Sequence, residues 1–167
     1  MGDFLITNRA IALLEHIAPE YDFIIRPHWK EFNNIEFVNN SEGIIILGGP
    51  GFQMNMYPVV YKLVNNLNNI KVPIYTLGSG WYGRPGDETT EKLYHFSNSS
   101  RELINRIEHT YAGISCRDYQ TERVLKNNGY SNITMTGCPV WYDLKSIGKQ
   151  FVPPKKSGGL YIHLHKI

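Results

Sequence analysis

The chain has 167 residues, 42% hydrophobic and 13% aromatic, which suits one globular domain with a sizeable core. Charged residues make up 19% and the formal net charge is +2, which argues against nucleic acid as the main partner, because a backbone-tracking surface needs a clustered excess of Lys and Arg. Cys116 and Cys138 are the only cysteines, with no CxxC and no Cys/His set at ligand spacing, so no metal site or disulfide framework is indicated and a cytoplasmic, reducing setting is expected.

Asp3, Arg9 and Glu15 interrupt the opening stretch, which speaks against a signal peptide. No run approaches the roughly 18–20 apolar residues of a membrane span. Ala10, Leu13, Leu14 and Ile17 then share one face at i, i+3, i+4 and i+7, predicting a first helix with Asp3 just ahead of it as N-cap. "YDFIIR" at 21–26, "GIIILG" at 43–48, "KVPIYTLG" at 71–78, "AGISCR" at 112–117 and "NITMTG" at 132–137 are compact apolar runs, predicted as strands buried on both faces. Between them, "YPVVYKLVNNLNN" from Tyr57 reads as a helix entered through Pro58. Thr89 to His109 is a further helical stretch that "SNSS" at 97–100 can break, and Tyr119 to Asn128 is a last one, closed by Gly129 at C′.

Strands alternating with helices predict an α/β fold: a doubly wound, mostly parallel sheet flanked by helices on both faces. Such sheets bind ligands outside the carboxyl ends of their strands. Residues 1–150 form this domain in the sequence reading, its first strand missing; 151–159 form a Pro-, Lys- and Gly-rich linker, and 160–167 begin a second domain or add a strand.

Three places carry unusual residues at strand ends. "LGGPGFQMN" leaves a strand through Gly48, Gly49 and Gly51, which lets backbone amides approach a ligand or simply permits a tight turn. It fits neither the dinucleotide nor the P-loop pattern. "LGSGWYGRPGD" combines Gly80 with Trp81, Tyr82 and Arg84, a set able to stack on a sugar face or close over an anion, or else to pin a loop by packing inward. Arg117 and Asp118 close the fourth strand-like run: Asp118 is placed to cap the next helix. Arg117 stands either as a preorganised ligand for phosphate or carboxylate or as half of a local ion pair. His28, His163 and His165 lack the sequence partners of a catalytic set and read as structural or solvent-facing.

With these residues located, the chain resembles the polysaccharide pyruvyl transferase family. "GDFLITNRAIALLEH", "GIIILGGPGF", "VPIYTLGSGWYG" and "ISCRDYQTERVLKNNGYSNITMTGCPV" follow that family's order of motifs across residues 2–142. The resemblance implies a Rossmann-like amino-terminal half of a two-domain, GT-B-like architecture. It implies transfer of a pyruvyl group from phosphoenolpyruvate to two hydroxyls of a sugar in a cell-surface glycan, forming a cyclic ketal, with no cofactor beyond the donor substrate itself. The expected partners are phosphoenolpyruvate and a glycan or lipid-linked sugar, with a second domain or an oligomeric partner completing the site.

Arg117 matches the arginine of the family's Arg-Asp motif, and with it the candidate substrate-binding residues are Asp118, Asp3, Gly48, Gly49, Gly51, Gly80, Trp81 and Arg84, read from their places at the strand ends and, for Asp3, ahead of the first helix. Two departures accompany it. Cys138 stands where the family has the aspartate of Gly-Asp-Pro, and "LHKI" at 164–167 shares only Leu-His with the family's Arg-Leu-His-Gly motif. No catalytic role is carried over to His165, and the chain alone is expected to be catalytically silent. Two further readings stand beside it: a GT-B glycosyltransferase domain using a nucleotide sugar, and a non-catalytic α/β binding module.

Overall fold

The computed structural model describes residues 2–84, 86–150 and 152. The linker expected at 151–159 and the segment at 160–167 lie, apart from Val152, outside them. Among the described residues no helix is long and apolar enough to cross a membrane.

Helix α1 runs Gly2–Ile17 and a short α2 Ile35–Asn39. They are followed by β1 (Ile44–Leu47), β2 (Ile74–Leu77), α3 (Glu88–Leu93), α4 (Asn98–Glu108), β3 (Ile114–Cys116), α5 (Tyr119–Asn127) and β4 (Ile133–Met135). β1 pairs in parallel with β2, Ile44 opposite Ile74 through Leu47 opposite Leu77. β3 pairs in parallel with β4, Ile114 opposite Ile133 through Cys116 opposite Met135. These four strands occupy four of the five runs read as strands, and the fold is α/β with parallel pairing.

The two pairs meet along a seam that side chains begin and main chain completes. The Ser115 amide donates to Thr76 Oγ1 at 3.0 Å and the Gly78 amide to Ser115 Oγ at 2.8 Å. Beyond them the Arg117 amide donates to the Ser79 carbonyl at 2.9 Å, and Ser79 and Cys116 form an isolated parallel bridge. The strands therefore follow one another in space in chain order.

The core lies between the strands and α4 and α5. Leu103, Ile104 and Ile107 of α4 and Val124 and Leu125 of α5 are fully buried, as are Phe52 and Ile114. In α4 these residues fall at i, i+1 and i+4, and in α5 Val124 and Leu125 share the buried face with Thr121 at i+3 and i+4 from it; each apolar side chain contributes roughly 1.5–3 kcal/mol by leaving water. Glu91 of α3, also buried, accepts from Gln120 Nε2 at 2.8 Å and from Arg123 Nε at 2.8 Å, both on α5. The hydrogen bond from Arg123 holds its carboxyl below the ordinary range against the opposing effect of burial, so the charge inside α3–α5 is paired.

Helix ends follow local chemistry. Ser97 caps α4 and accepts from the Ser100 amide, which places the break in the 89–109 stretch just ahead of it. The α5 C-cap is Asn128, and Gly129 takes φ +92° beyond it, the left-handed C′ position expected of glycine.

Four expectations are corrected. Residues 21–26 form no strand: Ile24 and Ile25 are each 62% exposed. Strand preference measures fit to a pleated, half-buried surface, and among the described residues no strand lies beside this run to supply one. The stretch from Tyr57 is no continuous helix; a π-type turn at Met56–Val60 and a 3-10 turn at Leu67–Asn69 flank an irregular chain. Tyr57 is extended, as a residue before proline tends to be, and its amide goes to the buried Ser100 Oγ at 3.2 Å. Asp3 sits within the first turn of α1, which begins at Gly2, not ahead of the helix as a cap. Finally, burial on both faces does not hold throughout β1, where Ile46 is buried but Ile45 is 36% exposed.

Candidate functional site

The loops leaving the carboxyl ends of β1, β2 and β3 are stitched together. The Gly80 amide donates to the Gly49 carbonyl at 2.8 Å, the Phe52 amide to the Gly80 carbonyl at 2.9 Å, and the Tyr82 amide to the Phe52 carbonyl at 3.2 Å. The glycine turn after β1 thus extends the parallel pairing as far as the Phe52–Trp81 bridge. The Trp81 amide is held from the other side by Thr121 Oγ1 of α5 at 2.8 Å.

Within this edge the glycines differ in kind. Gly48 and Gly51 are packing positions: a Cβ at the first would meet Ile6 Cγ2 at 2.4 Å, and at the second the Tyr61 hydroxyl at 2.1 Å. Gly49, at φ +75°, has no atom within 4 Å of where a Cβ would stand, so its face is open.

Gly80 is occupied by the very residue in question. A Cβ there would lie 2.4 Å from Arg117 Nε and 2.5 Å from Cζ and Nη2. The guanidinium therefore occupies the space that a side chain at this position would fill. Arg117 Nε donates to Asp118 Oδ2 at 3.2 Å, with the two side chains 30% and 41% exposed. Among the described residues no hydrogen bond engages Nη1 or Nη2 of Arg117.

Asp118 caps α5 as expected, its Oδ1 accepting from the Thr121 amide at 2.7 Å. Burial pushes its carboxyl up, but the hydrogen bonds from Thr121 and from the Arg117 guanidinium outweigh that and hold it below the ordinary range. The ion-pair reading of the junction is thus present in the geometry, and that pair leaves the outer nitrogens of Arg117 without a hydrogen bond among the described residues. Cys116, at the end of β3, is buried, and burial pushes its thiol up to about 11. That makes it a core thiol and not a nucleophile at neutral pH.

The turn after β4 closes the edge. The Thr136 amide donates to the Cys116 carbonyl at 2.9 Å, and the Gly137 carbonyl and Pro139 ring fill the space beside Gly78. Cys138 is half-buried in this turn. Arg9 of α1 pairs with Asp143 just beyond it, fastening the first helix to the same end of the molecule.

The aromatic loop divides. Trp81 is only 4% exposed and packs edge-on against Tyr94 at 5.2 Å, so the inward-packing reading holds for its indole. Tyr82 is 67% exposed and Arg84 is exposed. With Asp87, Thr90 and Tyr94 they line a groove of about 630 Å³ that does not include Arg117. Arg84 and Arg117 therefore belong to neighbouring features, joined through α5: Gln120 Nε2 donates to the Arg84 carbonyl at 3.1 Å.

Sequence reasoning missed Thr121, Thr76 and Ser115, whose hydroxyls hold these loops and the seam together. Their signal was polar β-branched or small residues at positions the periodicity assigns to the interior, where a hydroxyl must find a partner.

No curated protein and no solved structure matches the chain. The family model described as polysaccharide pyruvyl transferase matches residues 1–167. Its span contains the glycine turn, the aromatic loop and the Arg117–Asp118 junction in one match, and the chain belongs to the polysaccharide pyruvyl transferase family.

Proposed function

We propose that this edge is the donor-binding half of a pyruvyltransferase site, with Arg117 as the ligand for the phosphate or carboxylate of phosphoenolpyruvate. The observation that carries the reading is the guanidinium seated on Gly80, its Nε tied to Asp118 and its two Nη groups uncommitted. A guanidinium fixed in this way offers two parallel N–H donors to an oxyanion with little ordering left to do. Asp118 acts as a positioning residue, and the open face at Gly49 lets the donor approach the backbone.

In the reaction a proton adds to the methylene carbon of the enol phosphate, and a sugar hydroxyl attacks the cationic carbon so formed and gives up its own proton. Phosphate leaves, and the second hydroxyl closes the ketal and releases its proton. Arg117 serves this sequence by stabilising the anionic donor and the departing phosphate. The domain is Rossmann-like, one half of a GT-B-like architecture, and the proton donor comes from the facing half of the cleft.

The test is a melting-temperature comparison on the protein with phosphoenolpyruvate. Ligand at a hundredfold excess over Kd stabilises the fold by about 2.7 kcal/mol. A clear upward shift that Arg117→Ala abolishes supports the reading. No shift, or a shift that a nucleotide sugar gives and phosphoenolpyruvate does not, overturns it.

A further inference from the structure

We propose that the groove between the Trp81–Arg84 segment and the start of α3 is a saccharide subsite, in which a sugar ring stacks on Tyr82 while its hydroxyls bond Arg84, Asp87 and Thr90. Its name as the acceptor site rests on the reading of Arg117 as donor ligand; its preference for a sugar rests on the groove itself.

Shape is the first support. The volume of about 630 Å³ lies within the roughly 300–1,000 Å³ of small-molecule sites. The aromatic arrangement is the second. Trp81 is buried and anchored at its amide by Thr121, and the Tyr82 amide is fixed to the Phe52 carbonyl. The exposed Tyr82 ring is thus carried on main chain fixed by those two bonds, so stacking a ligand on it orders the side-chain torsions but little backbone. A tyrosine ring offers the C–H face of a pyranose an apolar platform with a polar rim.

The third support is the polar set beside that ring. Asp87 has Oδ1 held by the Thr90 amide at 2.9 Å and Oδ2 by the Thr90 hydroxyl at 2.5 Å. Those two bonds hold its carboxyl below the ordinary range, so it stays an ionised acceptor whose direction is fixed. Arg84 also lines the groove and brings a donor group to it. One fixed acceptor, a guanidinium and a hydroxyl around one aromatic face suit a polyol, whose hydroxyls both donate and accept. They suit an apolar segment or a polymer of single charge much less.

Placement ties the groove to the donor edge. Trp81 follows Gly80, the residue on which the Arg117 guanidinium rests, and the Arg84 carbonyl is held by Gln120, in the first turn of the helix that Asp118 caps. The groove thus continues the donor edge along the chain and shares α5 with it.

The experiment is saturation-transfer NMR on the whole chain with millimolar methyl glycosides of glucose, galactose, mannose and N-acetylglucosamine, alongside the phosphoenolpyruvate melting shift. The expected result is saturation of the ring protons of at least one glycoside, lost in Tyr82→Ala, largely kept in Tyr82→Phe and weakened severalfold in Arg84→Ala. Saturation of none of the glycosides, or saturation that Tyr82→Ala leaves intact, overturns the subsite. Glycoside binding without a phosphoenolpyruvate shift refutes the donor reading alone. A phosphoenolpyruvate shift without glycoside binding refutes the subsite alone.

Discussion

Replacing Gly80 with alanine puts a methyl group where the Arg117 guanidinium now lies. The new carbon would stand 2.4–2.5 Å from Nε, Cζ and Nη2, about 1 Å inside ordinary carbon contact distance, so the guanidinium must swing off the glycine. The backbone itself objects little: Gly80 lies outside the left-handed region, and alanine there restricts the unfolded chain, worth about 0.4–1 kcal/mol in favour of folding. Against that stands the loss of the Arg117–Asp118 pair, whose side chains are 30% and 41% exposed and which therefore contributes only about 0–1 kcal/mol. The two effects nearly cancel, and melting should move by no more than about 4 °C. Donor binding should not survive, so the stabilisation of about 2.7 kcal/mol expected at a hundredfold excess of phosphoenolpyruvate disappears. Gly78→Ala is the control of opposite character: at φ +63°, its Cβ meets the Gly137 carbonyl at 2.4 Å. Neither backbone can yield cheaply, and the cost is on the order of 1–3 kcal/mol or more. Differential scanning fluorimetry of both variants, with and without the ligand, separates the cases. A Gly80→Ala protein that keeps the full shift, or that melts as early as Gly78→Ala, refutes the argument.

Thr121→Val removes the acceptor for the buried Trp81 amide. It should cost about 1–3 kcal/mol in urea unfolding, with Thr121→Ser close to the parent; equal stability of all three would show that the amide finds another partner. Asp118→Ala should lose about 1 kcal/mol of helix capping at neutral pH, whereas Asp118→Asn keeps an acceptor oxygen for the Thr121 amide. The Asp118 carboxyl lies below its ordinary range in the fold, so its contribution is present above the unfolded value of about 3.9 and vanishes as pH falls through the lower folded value. Asp118→Asn should therefore flatten the acid limb of the stability profile, measured by denaturation midpoints across that window. An acid limb as steep as the parent's would contradict this account.

The helix after Arg117 was legible because its signals are local: an Asp at N-cap, a run of helix-compatible residues, and Gly129 beyond the end. Strands β1 to β4 were legible for a similar reason, as dense apolar runs ending in glycine or in Arg117. The stretch from Tyr57 was not, because Met56, Tyr57, Tyr61, Leu63, Val64 and Leu67 are all buried and no single-face pattern describes a chain that threads through the core. Residues 21–26 misled in the opposite direction, since Ile24 and Ile25 have strand character without a strand partner. At the site, the sequence named Arg117, Asp118 and Gly80 but not their relation: that a missing side chain at one position is filled by a guanidinium 37 residues later is a fact of topology. Trp81 and Tyr82 could not be told apart by composition, because burial of one and exposure of the other depend on where Tyr94 and α5 stand.

The seam between β2 and β3 has an evolutionary consequence. A main-chain ladder is indifferent to side-chain identity and survives nearly any substitution except proline. The Ser115 and Thr76 rungs are instead encoded in two hydroxyls, so an exchange as mild as Ser to Ala or Thr to Val deletes a rung outright. Gly49 and Gly80 belong to the β1–β2 side and Arg117 to the β3–β4 side, and their registration passes through those hydroxyl rungs and the Arg117–Ser79 main-chain bond beyond them. Drift at positions far from any ligand can therefore retune how the two sides of the edge face each other, while the loops that form it stay unchanged.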